Sequence, residues 1–526
     1  MIGKNLIQRI HSRGSYLRLE DVKRTHILIV TLGLLFIWLL LTTFGVNKPS
    51  LTLKDIQKCA TDNLHADLSF LDSAKPIHTD EFLERRERLA RALVASNADA
   101  FVLEPGYTSQ YYGNISQTDW EPWEPEERPF LMLILPEFSQ SGGGISAKTA
   151  FLAPHFEEGR VRMLGIPSRE DELDIVVWEE HWDPYATLLE SHIFASFNST
   201  GKRRAPRLIM DEEIRDFISR GLANAGFETV GLTPEVELVR HIKSPAEVDI
   251  LRAVNTGTVA AVRATRPCLI SGLTENEVQY ILNQVLLSIG FALFFNIVLF
   301  EEDGALPHGG FIVGTKKATE DTMIVIDVGA HYLGYSSDIC RSFFIDPARR
   351  DIASSFVGWP RLLGHLPPRN IRDISHLGLR EEKLKVWDIV LAAQSAAAAV
   401  LKPNNTAADV DIAARSVIED AGYGERFTHR LGHGIGIKGM LHYIQLVVLP
   451  ILSCILLTVT SAAHESPYLN KWNTQVRLRA GMIFTNEPGI YIEGKFGVRH
   501  EDVYLVRQNG EAELLTGRRA TGPYDP

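Results

Sequence analysis

Residues 323–345 have the sequence M-I-V-I-D-V-G-A-H-Y-L-G-Y-S-S-D-I-C-R-S-F-F-I, in which two apolar runs flank a turn of glycine and serine. Short apolar runs bounded by such residues predict two buried strands joined as a hairpin. The first run leads to Asp327, and the second follows Asp338. Two carboxylates in an apolar setting repel each other and lose hydration, and a divalent cation between them removes both penalties. For this pair alone, two surface turn aspartates are the alternative interpretation.

Further ligand-type side chains follow downstream, each on or beside an apolar run. The motif F-T-H-R-L-G-H-G-I-G contains His429 and His433, A-G-M-I-F-T-N-E-P-G-I-Y-I presents Glu487, and F-G-V-R-H-E-D-V-Y-L-V places Glu501 inside a strand-like run. A glutamate in such a run is rarely buried unpaired. With the two aspartates, these residues offer carboxylate oxygens and an imidazole, which suits two divalent cations rather than a four-coordinate structural zinc site.

The composition indicates a globular protein with more than one core. The chain has 526 residues, of which 45% are hydrophobic and 23% charged, and this length exceeds what one core usually supports. A net charge of −11, without a basic cluster outside the N-terminus, argues against nucleic acid as a partner. The four cysteines lie far apart and form no C-x-x-C motif, which argues against a cysteine zinc site and a disulfide framework.

The N-terminal region has the pattern of a membrane anchor. A basic segment, residues 1–26, precedes residues 27–46, which carry no charge and have the length of a membrane-crossing helix. The basic flank predicts a cytoplasmic N-terminus and a lumenal or extracellular catalytic domain in a single-pass membrane protein. A buried core helix and a cleaved signal peptide fit less well. Residues 47–79 resemble a stalk, and three sequons (Asn114, Asn198, Asn404) are compatible with glycosylation.

The remainder of the chain divides into two predicted domains. Residues 80–238 combine a helical pattern with several strand-like runs, which indicates a smaller α/β domain. The boundary is marked by I-K-S-P-A-E, in which Ser244, Pro245 and Glu247 have the spacing of a helix capping box. Residues 239–526 contain all of the ligand-type motifs.

Together these motifs resemble those of the pita-bread metallopeptidases, specifically the aminopeptidase P and Xaa-Pro dipeptidase (prolidase) group. The shared pieces span residues 241–506 and are I-K-S-P-A-E, P-H-G, V-I-D-V-G-A, H-R-L-G-H-G-I-G, H-E-S-P, E-P-G and R-H-E-D. The resemblance implies an α+β fold, with a C-terminal pita-bread domain after a creatinase-type N-terminal domain. It also implies hydrolysis of small peptides with proline at the second position, and it leaves a homodimer open.

The resemblance assigns roles to individual residues. Two divalent cations, usually manganese with cobalt or zinc as alternatives, would be held by Asp327, Asp338, His433, Glu487 and Glu501. Asp338 and Glu501 would bridge the cations, and Glu487 would shuttle protons for a hydroxide between them. Substrate contacts would come from His308, His429, His464 and Arg499, the histidines also stabilising the tetrahedral intermediate. Dipeptidase and aminopeptidase activity are not separated by these motifs.

One segment departs from the family pattern. Residues 440–463 are apolar and contain no Asp, Glu, Lys or Arg, and joining Gly439 to His464 would restore G-I-K-G-H-E-S-P. As a second membrane crossing, this segment would separate His433 from Glu487, so we interpret it as an insertion foreign to the fold, such as a retained intron. A tolerated apolar loop or re-entrant hairpin is the alternative. Residues 356–379 are a second candidate insertion.

The apolar insertion also supports a competing function. If it displaced His464, the chain would be a catalytically inactive binding or scaffold protein on the same fold. Creatinase-type chemistry, which runs on this fold without metal, is disfavoured because all five ligands are present. Methionine aminopeptidase is disfavoured by the additional N-terminal domain and by the H-E-S-P histidine.

Overall fold

The computed structural model describes residues 51–526 apart from 117–118, 121–127, 139–143, 170–172, 195–203, 347–373 and 439–463. The first half of the described chain is built on one mixed sheet. Its strands are β1 (Ala100–Leu103), β2 (Leu131–Phe138), β3 (Ile145–Pro154), β4 (Asp174–Trp178), β5 (Arg207–Met210) and β6 (Glu228–Val230). Its helices are α1 (Leu53–Leu64), α2 (Thr79–Ala95), α3 (Tyr107–Gly113), α4 (Glu158–Arg162), α5 (Pro184–Glu190) and α6 (Asp216–Ala225).

This sheet is covered on both faces. Its strand order is β4-β3-β2-β1-β5-β6, with parallel pairs β3–β4, β1–β5 and β5–β6. In the central strand, Phe101 and Leu103 pack into one buried cluster, whereas Ala100 and Val102 pack into another. Alternate side chains of a strand point to opposite faces, so each face of the sheet has its own core. A sheet between helical layers is the α/β arrangement predicted for residues 80–238.

The second half carries three sheets and five helices. The helices are α7 (Pro234–His241), α8 (Pro245–Thr265), α9 (Glu275–Ser288), α10 (Ile374–Val400) and α11 (Ala407–Asp420). The strands are β7 (Ala292–Phe300), β8 (Ile324–Tyr332), β9 (Tyr335–Ser336), β10 (Ile339–Phe343), β11 (Gly432–Gly434), β12 (Glu465–Leu469), β13 (Ile483–Asn486), β14 (Gly489–Ile492), β15 (Phe496–Arg499), β16 (Asp502–Val506) and β17 (Ala512–Leu514).

The sheets of the second half have the orders β10-β8-β7, β12-β11-β13-β16-β17 and β14-β15, with β9 paired to β8. The predicted hairpin is confirmed, because β8 and β10 pair antiparallel. The predicted capping box is also confirmed, since Ser244 accepts from the Glu247 amide and the Glu247 side chain accepts from the Ser244 amide. Residues 56–526 form one compact unit, and the division at residue 238 remains a prediction.

The predicted localisation as a single-pass membrane protein is wrong. Within the part of the chain that the structure describes, no helix combines the length and apolar composition needed to cross a bilayer. The two longest described helices, α8 and α10, carry charged side chains, whereas a span needs about 20 mostly apolar residues. The segments that prompted the prediction, residues 27–46 and 440–463, lie outside the described residues.

The predicted stalk contains a helix that is attached to the second half of the chain. In α1, Ile56, Ala60 and Leu64 are buried, and Cys59 forms a disulfide with Cys268 across a sequence separation of 209 residues. The cysteine spacing did not predict this bond. Spacing reveals local motifs, whereas a pair this distant in sequence is brought together only by the fold.

Reduction of this disulfide is expected to lower the free energy of unfolding by about 2–4 kcal/mol, because the unfolded chain loses a long closed loop. Urea unfolding with and without a thiol reductant measures the difference. Cys268→Ser serves as the control, since this variant should unfold at the lower urea concentration and show no further response to the reductant. Equal midpoints for the oxidised and reduced wild-type protein would contradict the prediction.

Candidate metal centre

The five predicted metal ligands lie together at the junction of the hairpin with the five-stranded sheet. Three overlapping groups each place one ligand atom per residue within 4.8 Å of the others: Asp327, Asp338 and Glu501; His433, Glu487 and Glu501; Asp338, His433 and His464. Asp327 lies within β8, Asp338 precedes β10, His433 lies in β11, Glu487 follows β13 and Glu501 separates β15 from β16. Five residues spread over 175 positions of sequence thus share one buried site.

The backbone fixes the two aspartates and Glu501 relative to one another. In the register of β8 and β10, Asp327 is opposite Cys340, and the Cys340 carbonyl accepts from the Glu501 amide at 3.0 Å. A side chain at Gly329 would place its Cβ 2.6 Å from the Ser337 carbonyl oxygen. Only glycine therefore allows the hairpin to close so tightly next to Asp338.

Several ligand atoms of this site are buried without a hydrogen-bond partner in the described part of the chain, and its carboxylates lie close enough to repel one another. Asp327 Oδ1, Glu501 Oε1 and His433 Nε2 are buried without a hydrogen-bond partner among the described residues. Burial, followed by the nearby carboxylates, raises the pKa of Asp338 and of Glu501 well above the usual range. Because cations would satisfy both the orphan atoms and the clustered negative charge, the side chains present fit two divalent metals.

His433 is held in the form that a metal ligand requires. Its Nδ1 lies 2.9 Å from the Gly434 carbonyl oxygen, and a carbonyl can only accept, so Nδ1 carries the ring proton. The lone pair is then on Nε2, which lies 3.4 Å from Asp338 Oδ2 and 3.5 Å from Glu487 Oε1. Fixing the tautomer through the second nitrogen is typical of histidine ligands.

His464 lies beside His433, with ring centroids 4.1 Å apart, although residues 440–463 precede it in sequence. Its Nδ1 is 2.9 Å from Arg430 Nη2. A guanidinium only donates, so Nδ1 accepts and the ring proton is on Nε2. Burial, with the neighbouring His433 and Arg430, lowers the pKa of His464 to about 2. His464 is therefore a neutral imidazole with one N–H to donate.

The other two predicted histidines differ in their surroundings. His429 donates from Nδ1 to the Arg430 carbonyl at 2.6 Å, and its Nε2 accepts from the Tyr491 hydroxyl at 2.9 Å. Both of its ring nitrogens thus have partners. His308 is exposed and belongs to none of the three ligand groups.

The Arg499 side chain contacts one of the predicted metal ligands, Asp327. Its guanidinium is buried, pairs with Asp327 Oδ2, and donates to the Tyr491 hydroxyl at 2.8 Å and the Pro307 carbonyl at 2.9 Å. Tyr491 and Arg430, which contact His429 and His464, were not predicted from the sequence. Arg430 stood inside the quoted motif H-R-L-G-H, and Tyr491 follows Glu487 by four residues, but neither carries a metal-ligand signal.

Arg499→Met is expected to weaken manganese binding about 10- to 100-fold, because it releases the Asp327 carboxylate from the partner that orients it. Titration of the metal-free protein with manganese, followed by calorimetry, measures this affinity. Arg507→Met is the matched control, since Arg507 is half-exposed and pairs with Glu513. An unchanged affinity in Arg499→Met would contradict the proposed orientation of Asp327.

The comparisons with known proteins agree with this site. A model of metallopeptidase family M24 matches residues 249–355 and 371–508. An uncharacterised peptidase of Schizosaccharomyces pombe is 33% identical over 496 residues, covering 94% of this chain and 93% of that protein. A Xaa-Pro dipeptidase of Pyrococcus horikoshii is 31% identical over 283 residues, covering 53% of this chain and 64% of that protein.

Among solved structures, a dipeptidase PepE from Mycobacterium ulcerans is 25% identical with a TM-score of 0.62, covering 84% of this chain and 98% of that one. The fold class is thereby confirmed as α+β, with a pita-bread domain that follows an N-terminal domain. Three findings indicate the same family. They are the similarity to a peptidase over 93% of that protein, the family match over the ligand-bearing region, and the clustering of the proposed ligands. The chain belongs to metallopeptidase family M24.

Proposed function

We propose that this protein is a dinuclear metallopeptidase that hydrolyses the Xaa-Pro bond at the free N-terminus of small peptides. The observation that carries the proposal is the buried group of four carboxylates and His433 with unpartnered ligand atoms. Similarity to a Xaa-Pro dipeptidase supports the choice of substrate. The Xaa-Pro bond is a tertiary amide without N–H, so a site that activates the carbonyl and water suits it better than one that binds a backbone N–H.

The proposed ligands are Asp327, Asp338, His433, Glu487 and Glu501. Two divalent cations, with manganese as the first choice and cobalt or zinc as alternatives, would lower the pKa of a bound water and polarise the scissile carbonyl. The protein would hold these ligand side chains in a fixed arrangement that excludes water.

Proton transfer is assigned to Glu487, which is also a proposed ligand, and hydrogen bonding to the oxyanion is assigned to His464, which lies beside His433. Glu487 is proposed to move a proton from the attacking water, because its side chain is 13% exposed and is the most accessible of those in ion-pair range of His433. His464, with its Nε2–H, is proposed to donate a hydrogen bond to the developing oxyanion. Glu487 is proposed to pass the proton that it takes from water to the departing proline nitrogen. His429 is proposed to act with Tyr491, and His308 to contact substrate from the exposed side of the site.

We also propose that residues 440–463 are foreign to the fold. On either side of this segment, β11 and β12 pair antiparallel, with Gly434 opposite Glu465. The Lys438 amide donates to Glu465 Oε1 at 2.9 Å. Strands that are already adjacent need only a short hairpin connection. The gap in the family match between residues 355 and 371 supports a second insertion in the predicted 356–379 region.

Deleting residues 440–463 is expected to preserve manganese binding and to change kcat by less than about tenfold, because the flanking strands already meet. The full chain and the deletion variant are dialysed metal-free and supplied with manganese. Release of the N-terminal residue is then followed from an X-Pro dipeptide and an X-Pro tripeptide. Hydrolysis of the dipeptide alone indicates a dipeptidase, and hydrolysis of both indicates an aminopeptidase.

Peptides with alanine at the second position are the control for proline preference. Manganese binding without hydrolysis by either form would favour the inactive binding protein. Failure of both forms to bind manganese would refute the ligand assignment itself. Activity in the deletion variant alone would mean that the segment obstructs the site in the full chain.

A further inference from the structure

A buried lysine next to the site has no role in the proposed function. Lys243, from the motif I-K-S-P-A-E, lies between α7 and α8. Its Nζ donates to Glu465 Oε2 at 3.0 Å and to the Arg240 carbonyl at 2.6 Å. Both side chains of the pair are only 4% exposed. Glu465 directly follows His464, so this ion pair is one residue from the side chain proposed to stabilise the oxyanion.

The other carboxylate oxygen of Glu465, Oε1, contacts the loop after β11. Glu465 Oε1 accepts from the Lys438 amide, and the Lys438 carbonyl accepts from Ser336 Oγ at 2.8 Å. The Ser336 amide in turn donates to the Gly436 carbonyl at 2.9 Å. Because Ser336 precedes Asp338 by two residues, one buried carboxylate connects the His464 strand with the loop after His433 and with the metal-bearing hairpin.

Gly436 leaves the space that this ion pair occupies. A Cβ at this position would lie 2.8 Å from both Glu465 carboxylate oxygens and from Lys243 Nζ. Any side chain at Gly436 would therefore separate the lysine from the glutamate or push both aside. This explains one of the glycines of the H-R-L-G-H-G-I-G motif by a contact outside the ligand group.

Ser466, the residue after Glu465, is held by hydrogen bonds to α7. Ser466 Oγ donates to Glu237 Oε1 at 2.9 Å and, at the same distance, accepts from His241 Nε2. Glu237 and His241 belong to α7, which ends just before Lys243. Two consecutive residues after His464 are thus fixed by one short segment of chain.

We propose that Lys243 is a positioning residue of the active site, acting through Glu465 to fix the start of β12 and thereby His464, which directly precedes it. The proposal rests on the proposed function, in which His464 donates a hydrogen bond to the oxyanion. Oxyanion stabilisation needs hydrogen-bond geometry, and a displacement of about 1 Å can reduce a rate about 100-fold. Without the lysine, Glu465 would be a buried carboxylate lacking its counter-ion. The start of β12 would also lose its tie to the segment before α8, and a neutral residue at position 465 would not restore that tie.

The charge state of the pair is consistent with this role. Burial acts to raise the pKa of Glu465, but the Lys243 and Arg240 charges, with the Lys438 amide, outweigh burial and lower that pKa to about 2. The Glu465 carboxylate is therefore ionised at neutral pH.

The test compares Lys243→Met with Lys383→Met in the full chain, or in the chain lacking residues 440–463 if only that form is active. Lys383 forms another buried pair, with Glu301 at 2.5 Å, and contacts none of the proposed ligands. We expect Lys243→Met to lose about 100-fold in kcat with manganese affinity and KM within threefold of wild type. We expect Lys383→Met to lose thermal stability without a change in kcat of the folded protein.

Double variants distinguish a positioning role of Lys243 from a general loss of protein stability. If Lys243 acts through His464, the double variant Lys243→Met/His464→Ala is no slower than His464→Ala. Lys243→Met/Glu465→Gln removes the orphan charge and should recover thermal stability but not kcat. Recovery of kcat in that variant, or equal kcat values for Lys243→Met and Lys383→Met, would overturn the proposal. Full activity in His464→Ala would instead refute the role assigned to His464, so the two failures are distinguishable.

Discussion

Asp338→Asn is expected to abolish manganese binding and to reduce kcat/KM by more than about 1,000-fold, since losing metal activation removes several kcal/mol of transition-state stabilisation. Asp338 belongs to two of the three ligand groups and is 4% exposed. Asparagine has the same shape but no negative charge, so the change tests the charge of the site rather than its packing.

The same substitution is expected to stabilise the metal-free protein. Without cations, the buried Asp338 carboxylate faces the charges of Asp327 and Glu501, and an amide removes that repulsion. Metal-free Asp338→Asn should therefore unfold at a higher temperature than metal-free wild type, whereas manganese should raise the unfolding temperature of wild type alone.

The control for this prediction is Asp62→Asn in α1, where the side chain is 63% exposed and pairs only with Lys58 across one helical turn. This variant should bind manganese and turn over substrate as wild type does. Calorimetric unfolding with and without manganese, together with metal analysis after dialysis, gives both readouts. An Asp338→Asn protein that retains manganese and activity would show that the site is built around other carboxylates.

The grouping of the five proposed ligands could be anticipated from sequence because each carboxylate lies within or beside an apolar run. A carboxylate placed inside or at the end of a buried strand needs a partner, and that local conflict is visible without a structure. The hairpin around Asp327 and Asp338 and the capping box at Ser244 are likewise local patterns, with signals contained in a few consecutive residues. These are the parts of the fold for which sequence periodicity and turn chemistry suffice.

The supporting contacts could not be predicted in the same way. Lys243 and Glu465 are 222 residues apart, Arg499 and Asp327 are 172 apart, and Cys59 and Cys268 are 209 apart. Apart from Asp327, each of these residues has a sequence environment that does not reveal its partner, and only the tertiary fold brings the partners together. The membrane prediction was based on the composition of residues that lie outside the described part of the chain, and no described helix could cross a bilayer.

Arg341→Met is expected to lower the free energy of unfolding by about 3–5 kcal/mol, because it leaves a buried carboxylate without its counter-ion. Arg341 is fully buried, donates from Nη2 to Asp502 Oδ1 at 2.5 Å, and also contacts the Glu501 carbonyl. It follows Asp338 by three residues on β10, whereas Asp502 follows Glu501 at the start of β16. The pair therefore joins the two strands that bring those proposed bridging ligands together.

Urea unfolding of the metal-free protein measures this loss apart from metal binding. Arg518→Met is the matched control, because Arg518 pairs with Asp525 on the surface with 54% and 43% exposed side chains, and such pairs contribute about 0–1 kcal/mol. Arg341→Met/Asp502→Leu should regain part of the stability, since removing both charges leaves no orphan carboxylate. Equal losses in Arg341→Met and Arg518→Met would mean that the packed strands alone, without this ion pair, hold the hairpin against the five-stranded sheet.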